Sequence, residues 1–136
     1  MTLHHTKAHL VRALMEGVAF DLRHSLECFK RLGLPIDEIR IGEGGAKSVL
    51  WRHIQADVFG RDVRVMETRD ASAIGAAVIA GVGIGLFEDF ASRSLIRTIG
   101  LGETVPCSAD RAEQYETCYR QYSRLYPSLK EWFHSA

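Results

Sequence analysis

The stretch "IGEGGAKSVLWRHIQAD", residues 41–57, decides the fold of this chain. Three glycines fall within the four positions 42–45, between an apolar extended segment and a run with helical periodicity. A turn needs one or two glycines, and additional ones allow a ligand or another backbone to come close. In parallel α/β sheets, ligands bind beyond the carboxyl ends of the strands. The turn is therefore a candidate binding site.

The composition is typical of a soluble globular domain. The chain has 136 residues, 46% hydrophobic and 25% charged, with 17 basic residues against 17 acidic ones. This balance gives no basic surface for nucleic acid, and the longest apolar run, residues 76–86, is too short for a membrane span. The N-terminus lacks the apolar segment of a signal peptide, and the three cysteines have no C-x-x-C spacing. We expect a cytoplasmic protein with no nucleic-acid or membrane partner.

The spacing of apolar residues predicts alternating helices and strands. Helices are predicted over residues 6–32, 48–59, 68–87 and 109–133, and strands over 38–42 and 62–67. Residues 95–100 are a weaker strand candidate, and Pro127 predicts a kink or a restart in the last helix. The order predicts an α/β fold, helix–strand–helix–strand–helix plus a long C-terminal helix, with parallel strands. Because two parallel strands make a poor core, the sequence looks like part of a larger domain.

Local chemistry at the turn favours an anion. Gly44 and Gly45 leave their N–H groups accessible, and the N-terminus of the following helix adds free donors with a partial positive charge. Lys47 adds a full positive charge. A tight turn without a ligand remains the alternative, because a glycine-rich turn alone is a weak signal.

Two other patterns are interpreted as structural. Gly81, Gly83 and Gly85 alternate, but they follow a predicted helix, whereas the dinucleotide-binding fingerprint follows a strand. We interpret them as a helix end. His5 and His9 have the spacing of paired metal ligands, but no third ligand is evident, so no metal site is predicted.

A series of short motifs runs through residues 9–90. From the turn onward it comprises Gly44–Ser48, Trp51, Ala56–Asp57, Gly60, Val63–Val65, Glu67, Gly75–Ala77 and Ala80–Gly83. Upstream it comprises Arg12, Ala13, Glu16, Gly17, Ala19 and Phe20. The series resembles the C-terminal domain of the FGGY carbohydrate kinases and, within that family, looks most like the xylulose kinases.

The resemblance implies a fold and a nucleotide site. The fold would be the C-terminal portion of a ribonuclease H-like ATPase of the actin and hexokinase type. Residues 1–136 would form part of the nucleotide-binding domain, with a C-terminal tail helix over 107–136. The turn would be the adenosine motif, with Gly44 and Gly45 contacting the α-phosphate and adenosine, and Ala46, Lys47 and Ser48 bordering the purine. Glu43 departs from the family's commonest pattern, which has Gly or Asp there.

The resemblance also identifies parts that these 136 residues lack. Family members carry an Asp-x-Gly-Thr phosphate loop, a second phosphate motif and an Asp general base, and none is present, so no catalytic residue is assigned. The implied function is the ATP-binding part of a sugar kinase that transfers the γ-phosphate to a sugar hydroxyl, as of xylulose, with Mg²⁺ in the full-length enzyme. The fragment alone would be inactive. The alternative is a non-catalytic remnant that binds a nucleotide or a partner.

Incomplete packing predicts partners besides ATP or ADP. The strand at residues 38–42 would lack a neighbour, and one apolar face of the first helix would be only partly covered. That face consists of Leu10, Leu14, Val18, Leu22 and Leu26. Exposed edges and apolar faces tend to find partners. We expect either the N-terminal kinase domain or a homo-oligomer formed through the strand edge or the helix face.

Overall fold

The computed structural model describes residues 2–67, 70–89 and 100–135. Its elements in chain order are α1 (Lys7–Arg31), β1 (Arg40–Ile41), α2 (Glu43–Ala46), α3 (Val49–Phe59), β2 (Val63–Met66), α4 (Ala71–Gly83), β3 (Leu101–Val105) and α5 (Ala109–Ser135). The predicted order of helices and strands is confirmed. Two further elements, α2 and β3, are not among those predicted.

The sheet has the strand order β1-β2-β3. β1 pairs in parallel with β2, as predicted, and Ile41 lies opposite Val65. β2 also pairs with β3, and this pair is antiparallel, with Val63 opposite Val105. The expectation that the strands would all be parallel was therefore wrong for this pair. Residues 95–99 of the candidate strand 95–100 lie outside the described residues. β3 begins at Leu101, just after that candidate.

Local capping explains where the helices begin. Thr6 precedes α1 in an extended conformation, and its N–H donates to Nδ1 of His9 at 3.1 Å. His9 therefore caps a helix, and Nδ1 of His5 accepts in the same way from the Thr2 amide at 3.0 Å. Asp70 caps α4, because its Oδ1 accepts from the Ala73 amide at 2.9 Å.

The glycines at the C-terminal end of α4 mark the end of that helix, as predicted. Gly85 has the left-handed φ of +74°, and the Leu86 amide donates back to the Gly81 carbonyl at 2.8 Å. Such a pattern satisfies carbonyls that a helix end leaves free. Gly81 has a separate reason to be glycine, because a Cβ there would lie 2.6 Å from the ring of Phe87.

α5 continues through Pro127 as one helix, which excludes a restart there and leaves the kink as the prediction. Proline removes one backbone donor and leaves the carbonyl four residues earlier without its helical partner. The helix around Pro127 is largely exposed. Water can therefore satisfy the freed carbonyl, and the cost of continuing the helix is reduced.

The core lies where α1, α3 and α5 pack together and against the sheet. Its buried members are Ala19, Phe20, Ile41, Ile54, Ala56, Val58, Phe59, Val63, Val105, Tyr115 and Tyr119. The ring centroid of Phe20 lies 6.0 Å from that of Tyr115 and 5.4 Å from that of Tyr122. These tyrosines of α5 therefore pack in or against the core, whereas Tyr126, further along the helix, is 63% exposed.

Two carboxylates attach the start of α5 to the rest of the fold. Asp57 is 2% exposed, and its Oδ1 accepts from the Ser108 amide at 2.8 Å while its Oδ2 accepts from Arg111 Nε at 2.6 Å. Asp62 is exposed and accepts from the Cys107 amide at 2.9 Å. The last helix is therefore fixed to both ends of the α3–β2 connection.

Two glycines make a matched test of the backbone. Gly60 ends α3 with φ +65°, so Gly60→Ala is expected to lower the free energy of unfolding by about 1 kcal/mol. Gly17 lies inside α1, and an added methyl group there would have open space around it. Because alanine favours the helix more than glycine does, Gly17→Ala is expected to raise the free energy of unfolding by about 0.5 kcal/mol. Urea denaturation measures both. The same sign for the two variants would contradict this account.

Candidate functional site

The candidate site lies at the carboxyl ends of β1 and β2. Because the two strands are parallel, both ends meet at one edge of the sheet. Gly42 follows β1 and packs beside Met66, the last residue of β2, whose Sδ would lie 3.5 Å from a Cβ on Gly42. The chain then forms α2 and enters α3 through Lys47 and Ser48. Open α/β sheets bind their ligands at this position.

Residues 43–46 form one helical turn rather than an open loop. The amide of Lys47 donates to the carbonyl of Gly44 at 3.3 Å and closes this turn. Gly44, Lys47 and Ser48 are exposed, whereas Ala46 is only 7% exposed. Gly45 lies within α2. Of the five predicted site residues, Ala46 is therefore the one that the structure shows to be buried.

Neither the backbone conformation nor a contact with the described residues requires a glycine at position 44. Its φ lies outside the left-handed range, so its backbone conformation is open to other residues. Apart from its chain neighbours and the backbone of its own helix, no heavy atom of the described residues lies within 4 Å of the position that its Cβ would take. The exposed backbone of α2 at Gly44 is therefore approachable from outside the fold, as a ligand contact would require.

The start of α3 supplies positive electrostatic potential beside Gly44. Oγ of Ser48 accepts from the Trp51 amide at 3.3 Å and caps the helix. The earlier amides, of Val49 and Leu50, have no acceptor within a helix of this geometry. Lys47 makes no ion pair with any residue that the structure describes. Amide donors, the helix dipole and one ammonium group together favour an anion.

α3 is held firmly at both of its ends. Near its start, Arg52 forms an ion pair with Glu103 of β3. In its second half, Ile54 and Val58 are almost fully buried, and Asp57 is bonded to the start of α5. The amides at the start of α3 are therefore fixed relative to the sheet before any ligand arrives. Such preorganisation reduces the entropy cost of binding.

A carboxylate that follows β2 packs against β3. Glu67 follows β2, where its amide donates to the Gly100 carbonyl at 3.1 Å and its side chain packs beside Gly102. Within residues 2–67, 70–89 and 100–135, no three His, Cys, Asp or Glu side chains are grouped so as to hold a metal ion. In the same ranges, no helix has both the length and the apolar character needed to cross a membrane.

Comparison with known proteins identifies the family. The sequence profile of the FGGY family of carbohydrate kinases, C-terminal domain, matches residues 1–84. The chain belongs to this family. Xylulose kinase of Bacillus subtilis (strain 168) is 32% identical to this FGGY domain over 129 residues, which cover 93% of the chain. Autoinducer-2 kinase of Enterobacter sp. (strain 638) is 41% identical over 87 residues, 63% of the chain and 16% of that kinase.

Solved structures agree with the fold of this FGGY domain. The xylulose kinase of Rhodospirillum rubrum superimposes with a TM-score of 0.80 and 33% identity, covering 98% of the chain and 27% of that kinase. The predicted fold class, an α/β portion of the actin- and hexokinase-type ATPase fold, is confirmed. The chain spans about a quarter of the length of the xylulose kinases that it matches.

Proposed function

We propose that this chain is the ATP-binding part of a sugar kinase that transfers the γ-phosphate of ATP to a hydroxyl group of xylulose or a related pentulose. Membership of the FGGY family and similarity to xylulose kinases support the reaction class. The observation that carries the nucleotide assignment is Gly44, an approachable glycine beyond the carboxyl end of β1. We also propose a cytoplasmic location.

The proposed contacts follow the order of the turn. The backbones of Gly44 and Gly45 would contact the α-phosphate and the adenosine, and Ala46, Lys47 and Ser48 would border the purine. The first amides of α3 and the ammonium of Lys47 would stabilise the negative charge nearby. Because Ala46 is only 7% exposed, its contact with the purine would be small.

We assign the Mg²⁺ that accompanies the nucleotide to no residue of this chain. A divalent magnesium ion takes oxygen ligands, usually carboxylates together with phosphates. No such carboxylate is assigned here, so Mg²⁺ would be held by the nucleotide and by other parts of the whole enzyme. This division fits residues 1–136 as part of a nucleotide-binding domain that includes the tail helix, residues 107–136.

The chain alone is expected to show no phosphoryl transfer. That reaction depends on positioning, Mg²⁺ and charge stabilisation around the transferred group, and this chain supplies one wall of such a site. A coupled assay of ADP release, with ATP, Mg²⁺ and D-xylulose, measures it against a protein-free blank. Turnover by a pure preparation would contradict the assignment. An inactive chain that binds ATP also fits the alternative, a non-catalytic nucleotide-binding module.

Self-association is expected when the chain is alone. The apolar face of α1 is only partly covered, with Leu14 at 72% and Val18 at 55% exposure, and in the described residues β1 pairs only with β2. In the whole kinase, we propose that the N-terminal domain covers these surfaces. When the chain is isolated, a second copy would cover the apolar face of α1 or the edge of β1. This contact would bury at least roughly 1,000 Å², the usual minimum for a specific interface. Light scattering is expected to show a dimer or larger; a stable monomer at high concentration would contradict this.

A further inference from the structure

A cleft lies between α1 and the second half of α5, away from the α2–α3 turn. Its volume is about 530 Å³, which is within the usual range of small-molecule sites. Its walls are mainly aromatic and aliphatic, with two ionisable side chains from α1. Its principal lining residues are Asp21, His24, Tyr122, Tyr126, Leu129 and Phe133.

An arrangement on the neighbouring turn shows how the protein itself holds a cation. The guanidinium carbon of Arg23 lies 4.1 Å from the centroid of the Tyr119 ring, and the same guanidinium forms an ion pair with Glu116. Its Nη1 also donates to the carbonyl of Val58 at 3.1 Å. An aromatic face with a carboxylate beside it is a favourable setting for a cation.

The cleft also contains aromatic rings and a carboxylate, those of Tyr122, Tyr126 and Asp21. Tyr122 stacks on Tyr119, with centroids 6.4 Å apart and planes inclined by 22°. Asp21 and Tyr122 line the same cleft; burial raises the pKa of Tyr122, and the negative charge of Asp21 raises it further. Unlike Glu116, Asp21 forms no ion pair with any residue that the structure describes.

We propose that this cleft binds a small organic cation, an ammonium or guanidinium group that carries an apolar body. The cationic group contacts the carboxylate of Asp21 and the faces of Tyr122 and Tyr126. The apolar body packs against Leu129 and Phe133. His24 also lines the cleft, and its Nδ1 lies 3.4 Å from the hydroxyl of Tyr119. This site is separate from the proposed nucleotide contacts and does not depend on them.

Benzylammonium and benzyl alcohol test the proposal, because they share an apolar body and differ in charge. NMR titration at pH 8 of the full chain measures the dissociation constant of each probe. We expect benzylammonium to bind at least about fivefold more tightly than benzyl alcohol, since ion pairing and cation–π contact both require the charge. Equal affinity for the two probes, or no detectable binding of benzylammonium, would overturn the proposal.

Substitutions locate the binding. Asp21→Asn is expected to weaken benzylammonium about fivefold and to leave benzyl alcohol unchanged. The matched control Asp37→Asn removes an exposed carboxylate that does not line the cleft, and it should change neither probe. Tyr126→Leu keeps an apolar wall but removes one ring, so it should weaken the ammonium preferentially. An unchanged preference for the ammonium in both Asp21→Asn and Tyr126→Leu would place the binding elsewhere.

Discussion

Replacing Asp57 with alanine is expected to lower the free energy of unfolding by about 3 kcal/mol. Asp57 is 2% exposed, and it accepts hydrogen bonds from the Ser108 amide and from Arg111. The substitution leaves the amide without its acceptor, removes a charge-assisted bond and opens a small cavity in the core. Urea denaturation measures the change through the midpoint, with an unchanged denaturant slope showing that the fold is otherwise the same.

Asp62→Ala is the matched control for this loss. Asp62 also accepts a backbone hydrogen bond, from Cys107, but its side chain is exposed and water can replace the bond. A cost of about 0.5–1 kcal/mol is therefore expected. Equal destabilisation by the two substitutions would show that burial and the Arg111 contact add nothing, contrary to this account of how α5 is held.

The helices were predictable because their signals are local. Leucines and other apolar residues recur at helical spacing in α1, and Ser48 and Gly60 mark the start and end of α3. The structure places each of these boundaries within one residue of the prediction. Capping and periodicity depend on residues three or four apart, so a single sequence contains the necessary information.

The third strand could not be predicted by the same reasoning. In β3, Gly102 and Glu103 interrupt any alternation of apolar and polar residues. The strand is held instead by β2, whose Val63 lies opposite Val105, and by the ion pair between Arg52 and Glu103. These partners are about forty to fifty residues away in the chain. Tertiary contacts therefore determined a strand that local propensity did not.

The position of the candidate site was predictable, but its local geometry was not. The order of strand, glycines and helix places the turn at the carboxyl end of β1, where the structure has it. That residues 43–46 form a helical turn, and that Ala46 points into the protein, depends on packing against neighbouring elements. An isolated helical turn is not stable enough to be specified by its own residues.

Gly44→Val is expected to abolish ATP binding by the chain. Wild-type affinity should be weak, with a dissociation constant on the order of millimolar, because one wall supplies few contacts. A branched side chain at Gly44 would occupy the space through which the nucleotide approaches the backbone. Because that space is empty of described protein atoms and the φ is not left-handed, the fold should tolerate the change. Gly17→Ala, a substitution in α1, serves as the control and should bind ATP like the wild type.

Residue-resolved NMR titration with Mg²⁺ and ATP, of the wild-type chain and of Gly44→Val, tests the nucleotide assignment most directly. In the wild type, we predict that chemical-shift changes concentrate at residues 42–50, which contain the turn and the first amides of α3. In Gly44→Val, these changes should disappear while the rest of the spectrum shows an intact fold. Equal changes in the two proteins, or changes centred outside residues 42–50, would contradict the assignment of Gly44–Ser48 as the nucleotide contact.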